Sequence, residues 1–294
     1  MKIKVNRIEE KDLPKLVEFN NRMYPERDRV EESISYRLLE NPFAHKLSSY
    51  ISYLEDGSIV GQLLLMPSQF RFNKDIQDAT WGMDYIVDEK YRGSIAGVNL
   101  CKKAIKENSH FGIGLSEVSL KMHLIFDERL IGQMTKFIKI YDFLAFSKIV
   151  KKRINDNTKI FPKEIKLSGT SFYKVNTSEE IKSDNGYWNG DDILEFSRNF
   201  DFLKWRFFYY SEKFAVYKMK EDTQNVNSVY FVLRPLVWKN HNCFLLVDYR
   251  MNSTKDFNWI LKAVNKLSRM NKVTATITGS TLDSLNKELK KKWY

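Results

Sequence analysis

Residues 83–107, MDYIVDEKYRGSIAGVNLCKKAIKE, bring together the groups needed to hold a phosphorylated ligand. An apolar run ends at Val87, a short polar turn carries Arg92 and Gly93, and a helical pattern striped by Val98, Cys101, Ala104 and Ile105 follows. A strand that turns directly into a helix aims several backbone N–H groups and a helix N-terminus into one concavity, which suits a pyrophosphate. The N–H groups of Ser94, Ile95 and Ala96 belong to that turn. Gly93 and Gly97 allow close approach of backbone to ligand, and Arg92 adds a fixed positive charge.

Other chemistries lack their residues. His-Glu-x-x-His, Cys-x-x-Cys, Gly-x-Ser-x-Gly and the P-loop are all missing, so no metal and no serine nucleophile is expected. The segment GIGLSE (112–117) has the spacing Gly-x-Gly-x-Ser and is not a nucleophile elbow. Cys101 falls on the apolar stripe of its helix and reads as core. His123, in VSLKMHLIFDERL, reads as a packed or solvated histidine. Trp205-Arg206 lies in a very aromatic stretch that helical spacing mostly explains as packing. A ring stacked on a nucleobase or sugar, with Arg206 or Arg234 on a diphosphate, is the alternative.

The elements that must position these residues are legible as patterns. Helices are expected over 11–24 and 29–40, and strands over 48–57 and 58–72 are joined at Asp56-Gly57, a hairpin signal. A strand over 79–87 leads through the turn into a helix over 94–108. A strand over 111–116, a helix over 118–130 and a strand over 135–146 follow. The polar, basic stretch 148–166 reads as a linker. Beyond it come a helix near 193–210, strands over 214–219, 228–238 and 243–251, a helix over 257–270, a strand over 273–278 and a final helix. The second half repeats the element order of the first, which divides the chain into domains 1–150 and 151–294.

Composition narrows the partners. Among 294 residues, Lys+Arg 48 against Asp+Glu 37 gives a net charge of +11, which suits an anionic partner. Two cysteines, far apart, are neither a disulfide framework nor a zinc cluster and suit a reducing compartment. The N-terminus lacks the apolar run of a signal peptide, and no stretch approaches the roughly 20 apolar residues of a membrane span. The expectation is a soluble, cytoplasmic α/β protein. The Lys/Arg runs lie in the linker and the tail, and no nucleic-acid module is visible, so nucleic acid is not expected as a partner.

The stretch Val87-Asp-Glu-Lys-Tyr91-Arg92-Gly93-Ser-Ile-Ala-Gly97 resembles motif A of the GNAT acyltransferase superfamily, Val-x-Pro-x-x-Arg/Gln-Gly-x-Gly-x-Gly/Ala. The match covers Val87, Tyr91, Arg92, Gly93 and Gly97. Glu89 replaces the usual Pro, and Ile95 the first Gly of the Gly-x-Gly pair. The second half, from FDFLKWRFFYYSEKFAVYKM (200–219) to Asp248-Tyr249, resembles the second repeat of tandem members of that superfamily. No glycine loop follows it.

The resemblance implies two GNAT-like repeats, each a mixed, mostly antiparallel sheet flanked by helices. It implies acyl-CoA as co-substrate at Arg92–Gly97, and direct attack of an amine on the thioester. A backbone N–H near Tyr85–Val87 would stabilise the oxyanion. Asp84 is the first candidate to take the amine proton, or else a structural strand-end partner. Strand parity puts Trp81, Met83, Tyr85 and Val87 on one face and Asp84 on the other, and a bulge would re-aim it. Glu117 is the second candidate base. Ser116, Ser119 or water would protonate the leaving thiolate. Within the superfamily the likeness extends to N-acyltransferases of dTDP-linked amino sugars used in surface polysaccharides, with Trp81, Trp205, Arg206 and Arg234 as substrate contacts. Another amine, a tRNA-dependent aminoacyl transfer, or nucleic-acid binding without catalysis are the alternatives. Oligomeric state is not legible.

Overall fold

The computed structural model describes residues 2–44, 47–72, 75–147, 159–182, 194–210, 213–220 and 228–293. In chain order the elements begin with β1 (Lys4–Arg7), α1 (Leu13–Met23), α2 (Val30–Leu38), β2 (Tyr50–Tyr53), β3 (Ile59–Phe72), β4 (Asp75–Val87), α3 (Ile95–Glu107), β5 (His110–Gly112) and α4 (Glu117–Ile125). They continue with β6 (Thr135–Ile140), α5 (Phe143–Phe146), β7 (Glu164–Leu167), β8 (Thr170–Val175), β9 (Leu194–Phe196), α6 (Phe200–Leu203) and β10 (Ala215–Met219). The last are β11 (Tyr230–Trp238), β12 (His241–Arg250), α7 (Thr254–Met270), β13 (Ala275–Ser280) and α8 (Asp283–Trp293). These fall into two compact units, Met1–Leu130 with Asp191–Ser197, and Ile131–Gly190 with Arg198–Tyr294.

The first unit is a sheet of order β1-β2-β3-β4-β5, with β9 added to the far end of β3. All pairs are antiparallel except β4 with β5. The β2–β3 turn forms as the sequence predicts: Gly57 takes φ 81 and the Asp56 carboxylate accepts from Ser58 N at 2.8 Å. α1 and α2 bury Leu16, Phe19, Val30, Ile34 and Leu38 on one face of the sheet, with Met83 and Ile86 packed against them. α3 lays Leu100 and Ala104 on the other face, beside Tyr50, Leu63, Leu65, Tyr85 and Val87. The sheet is thus covered on both sides, as its nearly continuous apolar strand β3 requires.

A bulge interrupts β4. Gln62 pairs with Ile86 and Leu64 with Met83, so Asp84 and Tyr85 together oppose Leu63. Asp84 adopts φ 45, a left-handed conformation that Asp tolerates better than most residues. The extra residue resets the alternation of side chains. Met83 therefore faces α1 and α2, away from Tyr85 and Val87, which corrects the single face expected for Trp81, Met83, Tyr85 and Val87. The Asp84 carbonyl accepts from Gln62 Nε2 at 3.3 Å, and the buried Gln62 amide is doubly bonded to Asn20 of α1 at 2.7 and 3.1 Å.

The second sheet has the order β6-β13-β12-β11-β10-β8-β7, antiparallel except for β12 with β13. Its core sets Phe172, Phe231 and Phe244 against Phe257, Ile260, Val264 and Leu267 of α7 and Leu285 and Leu289 of α8. Leu203, Phe207, Val216, Tyr230 and Val232 form a separate cluster. β12 carries its own bulge: Val232 pairs with Asp248 and Leu233 with Leu246, leaving Val247 extra. Each unit thus holds a three-strand meander with a bulged last strand, then a helix, then a strand parallel to the bulged one.

Four further expectations change. The division at 150 is corrected by pairing: β6 joins β13, with Ile138 opposite Ile277, and β9 joins β3, with Phe196 opposite Phe70. The helix expected near 193–210 is a strand over Leu194–Phe196 and then α6, which continues as one wider turn over Lys204–Phe208. Asn199 starts that helix by accepting from Phe202 N at 2.9 Å, and Leu-Glu-Phe before it alternates as a strand does. The strand expected over 135–146 stops at Ile140 because Asp142 caps α5, accepting from Ala145 N at 3.0 Å. Of the expected linker, residues 148–158 lie outside the described residues, and 164–167 is β7.

Candidate active site

β4 and β5 are paired only from Thr80–His110 to Gly82–Gly112. Beyond Gly112 the chain turns away through Gly114, at φ 72, into α4, while β4 runs on to Val87. Residues 83–87 therefore present a strand edge that β5 does not cover. Such an edge offers backbone donors and acceptors to an extended ligand.

At the end of this edge lies the turn read from the sequence. Asp88 accepts from Lys90 N at 3.1 Å and a single 3₁₀ turn, Glu89–Tyr91, follows. Gly93 takes φ 85, and a Cβ there would meet nothing within 4 Å. Within the protein its glycine is needed for conformation, not for space. Ser94 caps α3: its Oγ accepts from Ala96 N at 3.2 Å and donates to Tyr91 O at 2.6 Å. Ile95 begins the helix with an exposed side chain. Arg92 donates from Nε to Val87 O at 3.2 Å and from Nη1 to Glu89 at 2.8 Å, so Glu89 shares its charge. A Cβ on Gly97 would stand 2.9 Å from the Tyr85 hydroxyl and 3.4 Å from Val87 Cγ2. Gly97 thus seats α3 on β4, a role beyond the ligand approach expected of it. Burial raises the Tyr85 phenol well above its ordinary range, so it is a neutral donor.

The bulge re-aims Asp84 as anticipated, but toward two arginines. Arg27 reaches Oδ1 at 2.9 Å and Arg37 reaches Oδ2 at 3.0 Å. Arg27 also lies over the Tyr24 ring at 3.5 Å. Both oxygens are engaged, each by one guanidinium. The geometry is that of the strand-end partner, not of a free base. Glu117 is 80% exposed on its side chain and pairs with Lys121 at 2.8 Å, a helix-surface pair. Ser116 is the N-cap of α4, its Oγ accepting from Ser119 N at 3.2 Å.

Trp81 stacks on Phe196 of β9 at 4.3 Å, in an aromatic group completed by Phe70 and Phe111. One ring face is thereby covered by the protein itself. Trp205, Arg206 and Arg234 belong to the second unit. Trp205 is buried and packs near Phe202, so its ring is core. Arg206 lies 6.0 Å from the Phe214 ring centroid, and Arg234 is exposed on β11. An open pocket of about 380 Å³ in this unit is walled by Phe207, Phe208, Phe214 and Lys174, and not by Trp205, Arg206 or Arg234.

One cluster escaped the sequence reading. His110, His123 and Glu128 converge, with His123 Nδ1 hydrogen-bonded to Glu128 and His110 Nδ1 3.2 Å from its other oxygen. Burial lowers the His110 imidazole, keeping it neutral, and pushes the nearby Cys101 thiol up to about 12. The spacing matches no local motif. The only available signal was that one of the chain's four histidines lies in a short helix and another just upstream of it.

No family model and no curated protein matches the sequence. Solved structures do. A conserved protein of unknown function from Enterococcus faecalis, described as a probable N-acyltransferase, superposes with a TM-score of 0.64 at 11% identity, covering 95% of this chain and 65% of that one. A GCN5-related N-acetyltransferase from Anabaena variabilis gives 0.61 at 11% identity, over 96% and 66%. Saccharomyces cerevisiae N-myristoyltransferase with bound myristoyl-CoA gives 0.60 at 10% identity, over 98% and 79%. The chain spans just under two thirds of the first two of these proteins. At such identities the likeness is one of fold: two mostly antiparallel sheets flanked by helices, as in the GCN5-related N-acetyltransferases.

Proposed function

We propose that the chain is an acyl-CoA-dependent N-acyltransferase whose thioester lies along the uncovered edge of β4. The observation that carries this reading is the parting of β4 from β5 beyond Gly82, immediately before a Gly93 turn and a Ser94-capped helix. Pantetheine amides would pair with the edge at Tyr85 and Val87. The pyrophosphate would sit on the N–H groups of the Gly93–Gly97 turn, beside Arg92. In the transfer, the amine nitrogen bonds to the thioester carbon, the C–S bond breaks, and the thiolate takes a proton from water. A backbone N–H of the β4 edge stabilises the oxyanion. Because Asp84 is held by Arg27 and Arg37, water accepts the amine proton in this scheme. The net charge of +11 favours anionic substrates. The acceptor is proposed to be a nucleotide-linked, dTDP-type amino sugar. Calorimetry with CoA, acetyl-CoA and dTDP on the wild type and Gly93→Val tests the site. CoA binding by the wild type that is lost in the variant supports it, and equal CoA affinity in both overturns it. Activity on peptides or polyamines with inertness toward every amino-sugar nucleotide would remove the sugar assignment alone.

A further inference from the structure

Strand β5, helix α4 and the segment after it contribute one side chain each to a buried cluster. One ligand atom from each of His110, His123 and Glu128 lies within 4.8 Å of the other two. Glu128 turns one oxygen to each imidazole, and the two rings have centroids 5.3 Å apart. The placement of Glu128 follows from the backbone. Asp127, at φ 61, reverses the chain, and Glu128 N bonds back to His123 O at 3.3 Å.

A His–Glu hydrogen bond alone accounts for His123 but not for His110. The His110 side chain is 1% exposed; among the described residues its Nδ1 faces a Glu128 oxygen at 3.2 Å without forming a hydrogen bond, and its Nε2 has no hydrogen-bond partner. Buried polar atoms are almost always partnered, so an orphaned imidazole turned into a carboxylate and a second imidazole points to a missing ligand. Two imidazole nitrogens and a carboxylate oxygen are a borderline donor set suited to zinc, which takes four ligands in a tetrahedron. Glu128, 24% exposed on its side chain, leaves a path for the ion and a place for a water as fourth ligand.

We infer that His110, His123 and Glu128 bind one divalent ion of the zinc class, which ties the end of α4 to β5. This site is independent of the acyl-CoA proposal, because none of its residues enters that scheme. The test uses the full chain, stripped with EDTA, dialysed, and titrated with Zn²⁺ against a chromophoric chelator and with Co²⁺ by visible absorption. One Zn²⁺ per chain is expected, with the intense Co²⁺ bands of a tetrahedral site. His110→Gln and Glu128→Gln, each checked for a cooperative melt, should lose stoichiometric uptake. If either fails to fold, the wild-type Co²⁺ spectrum decides alone. No saturable uptake by the wild type, an octahedral Co²⁺ spectrum, or undiminished uptake in both folded variants would overturn the assignment.

Discussion

Replacing Asp84 by Asn removes the charge that Arg27 and Arg37 share while keeping shape and backbone. Asn occupies the left-handed region as readily as Asp, so the φ of 45 adds no strain. Alanine would mix in about 1–2 kcal/mol of it. The two arginine side chains are 38% and 34% exposed and Asp84 15%, which lies between an exposed pair and a buried one. Exposed pairs contribute about 0.2–1 kcal/mol each, while breaking a buried pair costs about 3–5 kcal/mol. With solvent screening on the arginine side, the double clasp is worth about 1–2 kcal/mol. At about 2–4 °C per kcal/mol for a domain of this size, the melting temperature should fall by about 2–8 °C. The gap between wild type and variant should narrow in molar salt, where exposed charges are screened beyond about 3 Å. Scanning fluorimetry at low and high KCl reads both effects. An unchanged melting temperature, together with acyl transfer lowered by about 10²–10⁴, would refute the clasp and restore Asp84 as the base.

Gly93→Ala meets no side chain, so its cost is purely that of φ 85, about 1–2 kcal/mol, read by chemical denaturation. Gly97→Ala should destabilise by about 1–3 kcal/mol by pressing on the Tyr85 hydroxyl, and adding Tyr85→Phe should recover most of that in a double-mutant cycle. Ser116→Ala should cost about 1 kcal/mol of stability through the lost cap, with turnover per folded molecule unchanged in steady-state kinetics. Trp205→Ala should lose about 3–5 kcal/mol in a thermal or urea melt, with no selective rise in an acceptor KM.

The strand–turn–helix at 83–107 was legible because its signals are local: a glycine that must adopt positive φ, a serine that caps, and an apolar stripe. So were the β2–β3 hairpin and the strand–helix–strand order around α3 and α7. The facing of Met83 was not, because a bulge is an agreement between two strands and leaves no period of its own. The engagement of Asp84 depended on Arg27 and Arg37, far away in sequence. Gly97 was legible as a close approach but not as an approach to β4. The aromatic richness around Trp205 was correctly suspect as packing, and the polar residues paired with it in sequence told nothing of the pocket wall. His110 was invisible for the plainest reason: the residues it meets come from a following helix and the loop beyond it.

The two sheets exchange strands, and this fixes a schedule for synthesis. β3 receives its last partner only when Phe196 has left the ribosome, and β6 waits for β13, made near the end of the chain. Pairings this distant in sequence are slow to form. Meanwhile β6 is an unpaired strand, Thr-Lys-Phe-Ile-Lys-Ile, and Lys136 and Lys139 are the kind of charge that discourages a nascent edge from joining a neighbouring chain. A chain cut between residues 150 and 151 would leave β6 permanently in that state, and would strip β3 of β9. Either half is thus better obtained by relocating the termini, so that each strand travels with its sheet, than by shortening the gene.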